Sequence, residues 1–404
     1  MPGTSPGRVV ALLCAAEVLS MLGFATFPAL LPLMRDVWAL SGKEAGWIAG
    51  AYFGGYMLAV PLLSSLTDRF DARRIYFASC LLAAAGLVGF AVFARGPLTA
   101  GVLQAVSGAG LAGTYMPGLR LLADRVGGVR QSRFVAFYTS TFGIGTSASL
   151  LFAGWSAAAL GWQLTFALAG VGPLVAGCMV IGALRAMPRS GHAPSAGAAA
   201  GTGKLLADRT VQGYVLGYAA HCWELFGLRS WMVAFVAFCY ARDPASVGAL
   251  APATVAAIVN LIGQPASIFG NEIAVRIGRR RLIFSAMLAS AMLAWLTGFA
   301  GSLAWWLAPL LLVLYNTAVM ADSAALTAGL VEITPVARRG AAMAFYSFLG
   351  FGAGFVSPLA FGAVLDAAGG KNAPFAWGLA FGSLGFFCAV AALVVVRRST
   401  MRHE

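Results

Sequence analysis

Apolar runs of about 18 residues or more recur from one end of this 404-residue sequence to the other. Each is long enough to cross a hydrocarbon core about 30 Å thick as a helix rising about 1.5 Å per residue. Only 10% of the residues are charged and 60% are hydrophobic, and the mean hydropathy is +0.83. A soluble domain carries about 25% charged residues because its surface faces water. The pattern therefore predicts an all-α membrane protein.

The runs fall at 9–33, 45–67, 75–94, 98–123, 134–158, 163–184, 211–238, 247–270, 282–300, 304–331, 341–364 and 375–396, twelve expected transmembrane helices. The first, Val9 to Leu33, is too long for the apolar core of a signal peptide and carries Glu17, so it reads as a membrane helix. The one long gap, 185–208, is rich in Gly, Ala, Pro and Ser and reads as a linker. It separates two expected six-helix bundles, 1–184 and 209–404.

Lysine and arginine set the orientation. With the N-terminus inside, the cytoplasmic side receives Arg8, Arg69, Arg73, Arg74, Arg120, Arg125, Arg130, Arg133, Arg185, Arg189, Lys204 and Arg209. It also receives Arg276, Arg279 to Arg281, Arg338, Arg339, Arg397, Arg398 and Arg402. The outside receives only Arg35, Lys43, Arg95, Arg242 and Lys371. This asymmetry requires an even number of spans and both termini in the cytoplasm, in a cell inner membrane. The net charge of +13 is thus spread over short loops, which argues against a nucleic-acid partner. Six cysteines (Cys14, Cys80, Cys178, Cys222, Cys239, Cys388) lie in apolar runs without CxxC or metal-ligand spacing and read as small apolar fillers.

The halves repeat. Residues 15–23 align with 219–227, setting Glu17 opposite His221, and 136–138 align with 344–346, setting Tyr138 opposite Tyr346. At the second offset Asp124 faces Glu332 and Arg130 faces Arg338. Repeats of one orientation are expected to hold a solute site between them near the midplane.

The loop after the second span, Ser64 to Arg74, resembles the cytoplasmic signature G-x-x-x-D-R-x-G-R-K-K of the major facilitator superfamily. Asp68, Arg69, Arg73 and Arg74 match, while Ser64, Asp71 and Ala72 depart. The equivalent loop of the second half, 271–281, keeps Arg276, Gly278 and Arg279 to Arg281 but has Val275 in place of the acid. Residues 104–112 resemble R-x-x-Q-G-x-G-x-A with Gln104 replacing its arginine, and 161–166 resemble G-W-R-W-x-F. The resemblance covers essentially the whole chain and implies two pseudo-symmetric bundles of six helices. It also implies a cytoplasmic gate of Asp68, Arg69, Arg73 and Arg74, with Asp124 as a second acid. Read without the family, the same arginines enforce topology, and an acid among them makes charge-assisted bonds across a helix interface.

Ionisable groups inside a span are costly and usually face a cavity. Glu17, His221, Glu224 and Asp322 are such groups, and Arg229 is a fifth. His221 and Glu224 stand about 60° apart on one helix face. An acid near a histidine exchanges protons near neutral pH, so these residues are expected to carry a coupling proton or touch solute; the bland alternative is a polar network locking helices together. Arg229 either binds an anionic solute through paired hydrogen bonds or snorkels to the interface. Asp322 is either a proton site or the partner of a gate arginine. Trp223, Tyr115 and Asn316 are weaker solute contacts, since most membrane aromatics pack or anchor. Gly350 and Gly354 have the spacing of close helix packing.

No GxxxxGK[ST], HExxH or GxSxG pattern occurs, so neither ATP use, an enzyme nor a cofactor is indicated. Proton-coupled uptake of a small, anionic organic solute fits the embedded Arg229 and acids best. Proton-antiport efflux is the alternative, weakened by Gln104 and by the lack of a G-x-x-x-G-P stretch near Gly143. A receptor or scaffold on the same fold is a third reading. The partners expected are a solute, protons and lipid, and a two-halved bundle can work as a monomer.

Overall fold

The computed structural model describes residues 6–126, 131–186, 207–335 and 338–399, without the side chains of Asp68, Ser132 and residues 395–399. Most of the expected linker 185–208 therefore lies outside the described residues. Among those described, all regular structure is helical.

The first half runs α1 (Pro6–Ser20), α2 (Thr26–Val37), α3 (Gly42–Arg69), α4 (Ala72–Phe93), α5 (Pro97–Arg125), α6 (Gln131–Ala169) and α7 (Val171–Ala183). The second runs α8 (Arg209–Arg242), a 3₁₀ turn (Pro244–Ser246), α9 (Pro252–Ile277), α10 (Arg279–Ala300), α11 (Leu307–Ala321), α12 (Ser323–Ile333), α13 (Arg339–Ala367) and α14 (Pro374–Ser399). Nine helical tracts among the described residues are long and apolar enough to cross a membrane. One of them, Arg133–Ala183, has 51 residues and contains the fifth and sixth expected spans. Gly161 separates these at φ +81, a left-handed conformation that strains any residue with a side chain. The fourth expected span, α5, is not among the nine because five glycines and Gln104 dilute its apolar content.

Two expected spans are each broken in the middle. Span 9–33 divides into α1 and α2 around Met21–Ala25 because a side chain from elsewhere takes over backbone hydrogen bonds. The Ser149 hydroxyl of α6 donates to the Leu22 carbonyl at 2.6 Å and accepts the Ala25 N–H at 2.9 Å. Span 304–331 divides into α11 and α12 at Asp322, whose side chain is engaged by His221. Elsewhere acids start the helices: Asp71 accepts from Arg73 N to cap α4, and Asp208 accepts from Thr210 N and Val211 N to cap α8. Such caps satisfy amides that have no partner within the helix.

By contacts the chain forms two compact units, Met1–Leu30 with Ala51–Pro194, and Leu31–Gly50 with Ser195–Glu404. In the first, α4 packs against α5 and α7, and α1 against α6 and α7, around Leu13, Tyr76, Cys80, Leu122, Tyr138 and Val180. In the second, α8 packs against α13 and α14, α10 against α14, and α9 against α11. Gly350 and Gly354 admit the rings of Tyr218 and Phe226 where α13 meets α8. Residues 31–50 join this second unit through the start of α3. There Ser41 and Glu44 form a reciprocal capping box. The Asp366 carboxylate accepts the Gly42 and Lys43 amides at 2.7 and 2.8 Å, completing the cap at the positive end of the helix dipole.

Ser149→Ala leaves the Ala25 N–H without its partner and the Leu22 carbonyl with only the Thr26 hydroxyl, and should cost about 1–3 kcal/mol. Reversible unfolding in detergent should show that loss, while Ser140→Ala, whose hydroxyl bonds its own helix at Ala136 O, should change little.

Candidate functional site

Glu17 sits on α1 with none of its surface exposed. Tyr138 of α6 donates its hydroxyl to Glu17 Oε2 at 2.9 Å, and Glu17 Oε1 has no hydrogen-bond partner among the described residues. The Tyr138 oxygen is also 3.1 Å from the Tyr115 carbonyl. A phenol has one hydrogen to give. Toward a carboxylate it points at Glu17; toward a protonated Glu17 it can turn to Tyr115 and accept the acid's proton. Gly118 makes this approach possible, since a methyl group there would strike the Tyr138 hydroxyl. Tyr115 is half-buried and stacks on Tyr138 with centroids 5.9 Å apart. Ser20 donates to the Glu17 carbonyl at 2.9 Å, which ties it to its own helix.

In the second unit His221 and Glu224, one turn apart on α8, take different partners. His221 Nδ1 lies 2.7 Å from Asp322 Oδ1, with both side chains under 5% exposed. Asp322 is thus the partner of a histidine and not of an arginine. Glu224 Oε2 accepts from Ser290 of α10 at 2.7 Å and from the Cys388 thiol of α14 at 3.0 Å. Its Oε1 has no partner among the described residues. Cys388 is more than an apolar filler: it is a donor to a buried acid. His221 stacks on Tyr218 at 5.9 Å and Tyr218 on Tyr346 at 3.7 Å. Of the positions aligned by the repeat, Glu17 and Tyr138 are in direct contact, whereas His221 and Tyr346 are linked through the Tyr218 ring.

Arg229 is 7% exposed. Its Nε has no hydrogen-bond partner, and it enters no ion pair among the described residues. Asn316 is buried and donates from Nδ2 to the Val259 carbonyl at 3.0 Å, joining α11 to α9. Trp223 is half-buried with its ring 4.4 Å from Phe387, and its Nε1 has no partner among the described residues.

The loop between α3 and α4 carries the residues of the expected gate. The Asp68 side chain lies outside the described residues, and Arg69 and Arg74 are exposed. Among the described side chains the acid of this loop is Asp71, one of the departures from the signature. It caps α4 and pairs with Arg73 at 2.6 Å, while the same guanidinium donates to the Leu184 carbonyl beyond α7. Arg125 donates to the Arg185 carbonyl at 2.8 Å. Asp124 pairs at 3.7 Å with Arg120 on its own helix, because four residues on one helix place them side by side. In the second half Arg279 pairs with Glu332 at 3.1 Å and donates to Asn271 at 2.9 Å. Tyr138, Ser290 and Cys388 are contacts of the buried acids that reading the acids alone does not find. The repeat aligned Tyr138 with Tyr346 without giving either a role, and nothing local marks Ser290.

Among the described residues no cluster of His, Cys, Asp and Glu could hold a metal ion. A family model described as the Major Facilitator Superfamily matches residues 13–328. The chain belongs to the major facilitator superfamily: it is a multi-pass membrane protein and a solute transporter, not an enzyme. The bacterial homologue of the human lysosomal transporter Spinster, inward-facing and occupied, shares its fold with TM-score 0.80 at 14% identity, covering 98% of each chain. The unoccupied form gives 0.76 at 15% identity, covering 98% of this chain and 96% of that one. The nucleoside transporter NupG gives 0.70 at 15% identity, covering 97% of this chain and all of the other. No curated protein matches the chain.

The Arg73 guanidinium, bonded to Asp71, holds that carboxyl below its ordinary value of 3.8. A depressed acid stabilises the fold above its unfolded value and ceases to do so as pH falls through the folded one. Asp71→Asn keeps a capping side chain but loses the charge. The variant should melt below the wild type at pH 7, with the gap closing as pH drops below about 4.

Proposed function

We propose that this chain is a proton-coupled transporter of a small organic anion in the inner membrane, working by alternating access with both termini cytoplasmic. Two bundles, 1–184 and 209–404, joined by the cytoplasmic linker 185–208, supply the halves that alternate. The observation that carries the reading is the pair of buried carboxylates Glu17 and Glu224. Each has one oxygen held by donors and the other without a partner among the described residues. A structural carboxylate in an apolar interior is normally bonded at both oxygens, since an unmet charged acceptor is costly. An oxygen left over in this way can take and release a proton. His221 with Asp322 forms a second exchangeable pair beside Glu224.

Arg229 supports the anionic solute. A buried guanidinium without an ion pair costs several kcal/mol, and a carboxylate or phosphate brought by the solute offsets that cost through two parallel hydrogen bonds. Uptake follows from the same charges: the anion neutralises Arg229 while a proton neutralises an acid, so the loaded transporter moves with less buried charge than the empty one. Arg73 with Asp71, and Arg125, tie the inner ends of helices and act as the cytoplasmic lock.

A thermal-shift panel of monocarboxylates, dicarboxylates and organic phosphates on purified protein tests this reading. Ligands binding only the folded state raise its melting temperature. At least one anion class should stabilise the wild type, and Arg229→Ala should weaken that binding about tenfold or more, the worth of a charged hydrogen bond. Stabilisation by apolar or cationic compounds that survives Arg229→Ala would contradict it.

A further inference from the structure

Ser290 and Cys388, which donate to Glu224 Oε2, each have a second acceptor within bonding distance. The Ser290 hydroxyl of α10 lies 2.7 Å from the carboxylate and 3.0 Å from the Met287 carbonyl of its own helix. The Cys388 thiol of α14 lies 3.0 Å from the carboxylate and 3.4 Å from the Ala220 carbonyl of α8. Packing sets these alternatives. Ala220 and Glu224 are four residues apart on one helix face, so a single thiol meets the backbone of one and the side chain of the other. Gly385 lets α14 approach α10 closely, since a methyl group there would strike the Ala291 carbonyl. Cys388 stands one turn along from Gly385, and Ser290 is the neighbour of Ala291. Both side chains are buried.

A hydroxyl and a thiol each have one hydrogen to give. While Glu224 is ionised, its charge outcompetes a backbone carbonyl, because a bond to a charged acceptor is roughly twice as strong as a neutral one. Once Glu224 is protonated that advantage is gone, and each hydrogen can return to a carbonyl. Neither donor is stranded in either state, and no helix has to move. Tyr138 stands in the same relation to Glu17, with the Tyr115 carbonyl as its second acceptor. The ionisable groups facing Glu224 are Cys388 of α14, Tyr315 of α11, and Asp322 after α11, which is bonded to His221 of α8.

We propose that Ser290 and Cys388 are two-position donors, positioning residues that follow the charge of Glu224 by turning between its carboxylate and the Met287 and Ala220 carbonyls. The inference rests on the reading of Glu224 as a proton carrier only for its role, which is to let a buried acid gain and lose a proton at fixed helix geometry. The thiol is the more responsive of the two. It is a weak donor, so it holds the acid firmly only while the acid is charged.

Infrared spectroscopy of the purified full chain reads the thiol directly. The S–H stretch lies in a window clear of other protein bands, and its frequency falls as the hydrogen bond it donates strengthens. Subtracting the spectrum of Cys388→Ala isolates the Cys388 band from those of Cys14, Cys80, Cys178, Cys222 and Cys239. Should that variant fold poorly, Cys388→Ser removes the same band and keeps a donor of similar size. In the wild type the band should lie at low frequency while Glu224 is ionised and move to higher frequency on acidification. Glu224→Gln fixes a neutral side chain of nearly the same shape, and should hold the band at the upper position at every pH. A band at one frequency in the wild type and Glu224→Gln alike, whatever the pH, would overturn the proposal. A wild-type band that stays low at every pH while that of Glu224→Gln stays high would support the charge-following donor and contradict Glu224 as a proton carrier. Failure of the two readings is therefore distinguishable.

Discussion

A charged or polar group inside a membrane bundle must find a partner within the protein, because hydrocarbon supplies none. Much of this structure follows from how that demand is met. The Asp366 carboxylate is spent on two helix-end amides, Asp322 on a histidine, and Asp71 on an arginine and a helix cap. Glu17 and Glu224 are treated differently. Each receives donors on one oxygen from other helices, and on the other oxygen from none of the described residues. Full satisfaction makes a group structural, and partial satisfaction leaves it free to change protonation state or partner.

The repeat explains why such groups occur in both units. Matching positions on α1 and α8 carry Glu17 and His221; Glu17 accepts from Tyr138, and His221 stacks on Tyr218, which stacks in turn on Tyr346. The chemistry has diverged between them. The first unit uses a single carboxylate with a phenol. The second uses a histidine–aspartate pair and places its glutamate one turn further along, against a hydroxyl and a thiol. On α8, Arg229 is buried with no hydrogen-bond partner for its Nε among the described residues, whereas the arginine of α1, Arg8, is exposed. This asymmetry is what a coupled transporter needs if proton and anion are to occupy different groups.

The helical spans were legible because apolar run length reports membrane crossing directly. Their breaks were not: the interruption after Ser20 depends on Ser149, more than a hundred residues away, and span length carries no trace of it. The acids were legible as exceptions within apolar runs. Their partners were not: the repeat aligned Tyr138 with Tyr346 but gave no sign that its hydroxyl meets Glu17. Ser290 and Cys388 look like ordinary small residues of a helix, and only tertiary packing turns them toward Glu224. The loop signature pointed to this segment but not to Asp71, which stands where the family pattern has glycine and whose role as a helix cap is set by the turn into α4.

The account stands on Glu17 and Glu224 being proton carriers linked to solute binding. Proton uptake on ligand addition, followed with a pH indicator in weakly buffered detergent solution, measures that link directly. The wild type should bind protons as it binds a stabilising anion, and Glu17→Gln and Glu224→Gln should each diminish the uptake while still folding and binding. Ligand binding with unchanged proton uptake in the double variant would contradict the account.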